Sequence, residues 1–289
     1  MRRHSRYRAE KGERLRRLRK IPVRVLLPNL VTLLAVCSGV TAIRLAIEGR
    51  FELAVGAVIL ATVLDAMDGR LARLLKGTSR FGAELDSLAD FVNFGVTPAV
   101  LIYLWSLNAL NNLGWIAALG LAIACALRLA RFNVELDDPD KPAWTKAFFT
   151  GIPAPAGALL SISPMYLGFL GLIADGHAIA PVVLPWVGLV ALGMISRLPT
   201  YSGKTMSSRI PREWVLPLLA GLVFSLAMLI AFPWHMMLLA TAAYVISLPL
   251  AVRSWRRLSR ADAGAADAAG TNEQGAGATE GPARRGAGE

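Results

Sequence analysis

Apolar runs of about twenty residues, separated by short polar, glycine- or proline-bearing turns, recur along most of the chain. A run of that length matches the hydrocarbon thickness of a bilayer when wound as a helix. The pattern predicts about eight spans, near residues 30–47, 51–75, 83–107, 115–132, 151–173, 180–195, 214–231 and 234–252. Pro28 suits the start of the first, where a missing N–H costs little. Pro153 and Pro155 would loosen the start of the fifth, and Phe232-Pro233 is a minimal turn between the last two. The expected fold class is an all-α integral membrane protein in three parts. Residues 1–29 form a basic juxtamembrane segment, 30–252 the membrane domain, and 253–289 a tail that is first basic and then disordered. From Ala261 onward the tail shows no apolar periodicity.

Composition agrees: 55% of the 289 residues are hydrophobic and mean hydropathy is +0.49, which excludes an ordinary soluble domain. The net charge of +11 is not a nucleic-acid signature, because no aromatic-interleaved basic patch accompanies it. Basic residues instead crowd the N-terminus, the loops around Lys76, Lys141 and Arg209, and the stretch from Arg253 to Arg260. The opposite loops carry almost none apart from Arg50, so the positive-inside rule places both termini in the cytoplasm and requires an even number of spans. Eight fits; six would mean that two weaker segments fail to cross. Leu15, Leu18 and Ile21 recur at helical spacing in the basic N-terminus, which reads as a helix on anionic headgroups or as a solvated tail. That segment is too long, and too poor in a small-residue cleavage site, for a signal peptide. Cys37 and Cys125 fall in spans and read as small apolar packing residues, not as a disulfide or metal pair.

One stretch breaks the apolar pattern. Asp65, Asp68, Asp86 and Asp90 lie at the end of the second span and the start of the third, joined by a short polar loop. A carboxylate at depth costs roughly 2.5–3.5 kcal/mol on insertion scales, so four require compensation. Asp65 and Asp68 are three apart, Asp86 and Asp90 four apart, so each pair shares one face of its helix. Facing pairs would make a nest of four acids that cannot all stay ionised alone. One or two hard divalent cations would resolve that, and all-oxygen donors point to Mg²⁺ or Mn²⁺.

With Gly69, Ala72, Arg73 and Gly82 the stretch reads Asp-x-x-Asp-Gly-x-x-Ala-Arg-x8-Gly-x-x-x-Asp-x-x-x-Asp. This resembles the signature of the CDP-alcohol phosphatidyltransferases, membrane enzymes that join an alcohol to the phosphatidyl group of a CDP-linked lipid. The resemblance implies that the membrane domain is catalytic and has that family's fold. It makes Asp65, Asp68 and Asp86 metal ligands and Asp90 the general base, with Asp90 also touching a second metal. It further implies that Gly69, Ala72, Arg73, Ser79 and Gly82 bind CDP-diacylglycerol, with Thr78 the neighbour most easily confused with Ser79, and that the protein is a homodimer. A bare Gly69 would let the backbone approach the nucleotide, and Arg73 offers a planar fork for phosphate. For Gly69, Ala72 and Gly82 taken singly, close helix packing is the competing explanation.

The flanking sequence 81–99, Leu127-Arg128-Leu129-Ala130-Arg131-Phe132-Asn133, Gly151-Ile152-Pro153-Ala154-Pro155 and Ser196-Arg197-Leu198-Pro199-Thr200-Tyr201-Ser202-Gly203-Lys204 resembles the bacterial serine-using branch of that family. The implied acceptor is L-serine, and the implied place is the bacterial inner membrane. Asn93, Arg128 and Arg131 are candidate serine-binding residues, the two arginines having interfacial anchoring as their alternative. A sister enzyme using glycerol 3-phosphate or inositol phosphate would need extra cations, which Arg128, Arg131, Arg197 and Lys204 could supply. A cation transporter is the alternative of a different class, but it leaves Gly69, Arg73 and Ser79 unexplained.

Overall fold

The computed structural model describes residues 23–136, 148–201 and 212–277. The N-terminal helix expected before residue 22, the inner loop containing Lys141, and the Ser202-Gly203-Lys204 end of the last matching block lie outside these residues.

Helices α1 (Val23–Ile47) and α2 (Phe51–Leu74) form a hairpin turned through Gly49, and this is the most extensive helix pairing in the molecule. A short loop leads to α3 (Arg80–Asp90), which passes through a π-helical segment (Phe91–Val96) into α4 (Thr97–Trp105). A 3₁₀ turn (Leu107–Leu110) precedes α5 (Asn111–Leu136). Strand β1 (Phe148–Thr150) pairs antiparallel with β2 (Pro199–Tyr201), Phe148 opposite Tyr201 and Thr150 opposite Pro199. Between the strands run α6 (Ala154–Ser161), α7 (Ser163–Phe169) and α8 (Ala180–Ile195). Helices α9 (Arg212–Ala231) and α10 (Pro233–Gly277) follow the ribbon.

Among the described residues, five helical stretches are long and apolar enough to cross a bilayer: Arg24–Ile47, Arg80–Trp105, Leu107–Val134, Glu213–Ala231 and Pro233–Arg257. The chain is thus a multi-pass membrane protein, but the expected count of about eight is met for five. The other three depart for separate reasons. Helix α2 has the length but carries Glu52, Asp65, Asp68, Arg70 and Arg73. The stretch expected over 151–173 is cut into α6 and α7, because Pro164 lacks an N–H to continue the first helix. Helix α8 has 16 residues, about 24 Å at 1.5 Å each, and falls short of the core thickness.

Three further details differ from the sequence pattern. Helix α1 is already formed at Val23, so Pro28 sits inside it. The missing N–H of Pro28 deprives the Arg24 carbonyl of its intrahelical donor, and that carbonyl faces Gly77 in the α2–α3 loop so closely that any Cβ there would collide with it. The ribbon interrupts an otherwise helical chain where Gly151 and Pro199 disfavour helix. Helix α10 runs to Gly277, past Ala261 where a disordered tail was expected. The segment is alanine-rich, and alanine needs no amphipathic face to favour a helix.

The buried core is centred on Phe94, Leu101, Ile102, Leu121, Tyr166 and Met194, joining α4, α5, α7, α8 and the π segment. In contrast, no residue in the apolar stretch of α9 is buried in the protein, and Leu216, Leu222, Phe224 and Ile230 point outward. Lipid covers such a face, since its backbone bonds are satisfied within the helix.

Gly151 fixes the ribbon to the end of α8. Its φ is +77°, its N–H donates to Leu198 O at 2.8 Å, and an added Cβ would lie 2.7 Å from Met194 O and 2.8 Å from Ser196 O. Gly151→Ala is expected to cost at least about 2 kcal/mol through left-handed strain and backbone collision. Thermal unfolding of the detergent-solubilised variant should show a melting temperature lower by several degrees.

Candidate active site

The site is built at one end of the α1–α2–α3 cluster. Leu75 to Ser79 connect α2 to α3, and Ser79 caps α3 by accepting the Gly82 N–H at 3.0 Å. That cap sets where α3 begins and hence where its acids point. Asp65 and Asp68 come from the last turns of α2, Asp86 and Asp90 from the second half of α3. One carboxylate oxygen each of Asp65, Asp68 and Asp86 lies within 4.8 Å of the other two. Asp90 lies against Asp65, within hydrogen-bonding reach.

These acids are largely withdrawn from solvent. Asp68 is 3% exposed, and its Oδ2 accepts the Thr32 hydroxyl at 2.5 Å. Asp68 Oδ1 and Asp90 Oδ1 are buried with no hydrogen-bond partner. Two orphaned, inward-facing carboxylate oxygens among four hard donors fit a divalent cation, because burial without a counter-charge would be costly. Asp65, Asp68 and Asp86 are the residues that would hold it, with Asp90 beside them.

A cleft of about 260 Å³ opens from Asp68 and Asp86. Gly69, Ala72 and Arg73 form one wall, and Thr78, Ser79 and Gly82 another. A Cβ on Gly69 would meet nothing nearer than Arg73 Nη1 at 3.8 Å, so it would project into open space. At Gly82 the reverse holds: a Cβ would lie 2.9 Å from Asn29 Oδ1 and 3.1 Å from Ser79 Oγ. Small residues therefore serve two purposes here, an open floor at Gly69 and a tight contact at Gly82.

All five candidates for CDP-lipid contact thus line the same cleft as Asp68 and Asp86. The candidates for the alcohol do not stay together. Arg128 is 8% exposed, lies over the Phe132 ring at 5.6 Å, and is close enough to Asp90 to act on its charge. Arg131 turns away, its Nη1 donating to Ile195 O at 2.6 Å at the end of α8. A cation on the last carbonyl of a helix is a favourable structural contact. Asn93 is wholly buried in the π segment, both amide atoms lack partners, and its Oδ1 abuts Gly39 of α1.

Asn29 and Thr32 of α1 also line the cleft, and the sequence reading assigned them nothing. Their signal was weak: two polar residues three apart on one face of a mostly apolar helix that also carries Ser38, Thr41 and Arg44.

Comparison with known proteins accords with this geometry. Residues 25–195 match the family model described as CDP-alcohol phosphatidyltransferase, and 213–249 match CDP-alcohol phosphatidyltransferase 2. The chain belongs to the CDP-alcohol phosphatidyltransferase family, whose members generally depend on divalent metal. Over 234 residues it is 38% identical to the CDP-diacylglycerol–serine O-phosphatidyltransferase of Mycobacterium leprae, covering 81% of this chain and 77% of that protein. The protein of the same name from Mycobacterium tuberculosis H37Rv is 38% identical over 236 residues, 81% of each chain. That of Helicobacter pylori 26695 is 34% identical over 173 residues, 60% of this chain and 70% of its own.

Thr32→Val removes the hydroxyl on Asp68 while keeping the shape of the side chain. Loss of a hydrogen bond to a metal-binding carboxylate is expected to raise the divalent-ion concentration for half-maximal activity roughly tenfold. Titration of Mg²⁺ or Mn²⁺ against rate checks this, with gel filtration confirming an intact fold.

Proposed function

We propose that this protein transfers the phosphatidyl group of CDP-diacylglycerol to the hydroxyl of L-serine, giving phosphatidylserine and CMP. The observation that carries the reading is the convergence of Asp65, Asp68 and Asp86 beside Asp90, in a cleft walled by Gly69, Ala72, Arg73, Ser79 and Gly82. The relatives' shared name supplies the acceptor.

In this reading the nucleotide lies along Gly69, Ala72 and Gly82, with Ser79 at its edge, and Arg73 reaches the diphosphate. Asp65, Asp68 and Asp86, with Asp90 beside them, would hold one or two ions of Mg²⁺ or Mn²⁺, which would supply positive charge for the diphosphate and the departing CMP. Asn93 and Arg128 orient serine on the far side of Asp90. Asp90 accepts the hydroxyl proton as the serine oxygen attacks the β-phosphorus. A bond forms between that oxygen and the phosphorus, the bond to the CMP oxygen breaks, and CMP leaves with the electron pair. Gly69 keeps the cleft open to a group that a side chain would displace.

Charge asymmetry supports both termini in the cytoplasm, and the likeness to bacterial relatives supports the bacterial inner membrane, so that water-soluble serine and the liponucleotide meet at the inner surface. A homodimer is part of the same proposal, resting on the family. Acceptors with a second phosphate are less well served, because Arg131 is engaged at the end of α8.

Purified protein with CDP-diacylglycerol and Mg²⁺ or Mn²⁺ should release CMP on addition of L-serine, and far less with glycerol 3-phosphate or inositol phosphate. A chelator should abolish the release. Asp90→Asn should lower the serine-dependent rate at least about a hundredfold, the usual scale for losing a general base; near-normal turnover would remove that assignment. Arg128→Gln should raise the KM for serine, whereas Arg131→Met should leave it unchanged and lower the melting temperature instead.

A further inference from the structure

Helix α10 packs on β2, and there it brings one polar group toward the reaction centre. The Tyr244 hydroxyl is enclosed, yet it completes no hydrogen bond. It lies beside Thr200 and near enough to Arg128 for the guanidinium charge to act on it. Thr200 is 1% exposed and its hydroxyl donates to Gly151 O at 2.9 Å; its oxygen lies beside the phenol without completing a hydrogen bond to it. Arg128 in turn acts on Asp90. Tyr244, Arg128 and Asp90 thus form a sequence of polar groups leading from α10 across α5 to the end of α3.

An enclosed O–H that completes no hydrogen bond among the described residues is an unfavourable arrangement that a bound ligand would relieve. The chemistry of the pair selects the ligand. Tyr244 offers a proton and Arg128 a positive charge, so together they suit an anion. A cationic ammonium placed there would be repelled by the guanidinium. With Arg131 held at the α8 terminus, Arg128 is the one guanidinium that the described residues place near both Tyr244 and Asp90, which matches a monoanionic carboxylate better than a dianionic phosphate.

We propose that Tyr244 is a specificity-determining residue of the acceptor site, its hydroxyl donating to the carboxylate of the amino-alcohol alongside Arg128. The inference rests on the serine-transferase reading above. It extends that site to α10, beyond the 25–195 match and within the 213–249 match. With the carboxylate held between Tyr244 and Arg128, the short body of serine directs its hydroxyl toward Asp90.

The test uses full-length protein in detergent micelles with CDP-diacylglycerol, comparing the unaltered chain with Tyr244→Phe. That substitution keeps the ring and its packing and removes only the hydroxyl. The KM for serine should rise roughly tenfold to a hundredfold, the scale of one hydrogen bond to a charged group. The KM for CDP-diacylglycerol should not change. The preference for serine over 2-aminoethanol, which lacks the carboxylate, should fall by the same factor. An unchanged KM for serine would overturn the proposal. So would a parallel rise in both KM values, or loss of the folded peak in gel filtration, since each would make Tyr244 a packing residue. If the unaltered protein releases no CMP with serine, the failure lies in the acceptor itself and is visible before any variant is made.

Discussion

Four carboxylates drawn together between two helices, in an interior that would rather hold none, are the constraint on which the rest of this molecule depends. Asp68 is almost wholly buried, and Asp68 and Asp90 each keep an oxygen that no protein donor reaches. Mutual repulsion and lost hydration both oppose this arrangement. It persists because the surroundings leave the acids no other place. The α1–α2 hairpin fixes one pair, the Ser79 cap fixes the start of the helix carrying the other, and Gly77 lets the connecting loop close against α1. A site assembled so rigidly is ready for a cation and a diphosphate before either arrives, which lowers the reorganisation that phosphoryl transfer would otherwise require.

Burial is divided accordingly. Helices α4, α5, α7 and α8 supply the dense core behind the acids, with Phe94, Leu121 and Met194 fully enclosed. Helix α9 contributes nothing to that core and faces outward along its whole apolar length. Helix α10 lies between the two situations. Trp234 stacks on Tyr166 and meets Phe169 at a tilt near one end, and the Tyr244 region meets the β-ribbon further along.

Much of the site was legible in the chain because its parts lie close together in sequence. Asp65 to Asp90 span two helical stretches and one short loop, so spacing puts each pair on one face of its own helix and the loop keeps the two close. The contributions of Asn29 and Thr32 were harder to see, since α1 is apolar nearly throughout and nothing local says which face meets α2. Arg128 and Arg131 show the limit of spacing arguments. Three residues apart, they still end at different partners, because the long guanidinium stem lets Arg131 reach the terminus of α8. Span counting suffered from the opposite difficulty: the functional charges in α2 and the proline break before α7 are the features that lower apolarity and length. The alanine-rich end of α10 lacks any periodicity to read, yet forms helix on intrinsic preference.

The π-helical segment directly after Asp90 carries a mechanical implication. With the Thr97 N–H bonded to Val92 O, five residues back instead of four, the chain accommodates one extra residue without breaking the rod. That residue offsets the angular phase of everything before it by about 100° relative to α4, since each α-helical residue turns by that amount. The acids of α3 and the packed surface of α4 are therefore indexed independently along one continuous helix. Removing a single residue between Phe91 and Val96 would let the segment relax to ordinary α geometry. Either the carboxylates would then swing out of the cleft or the core would have to rotate with them.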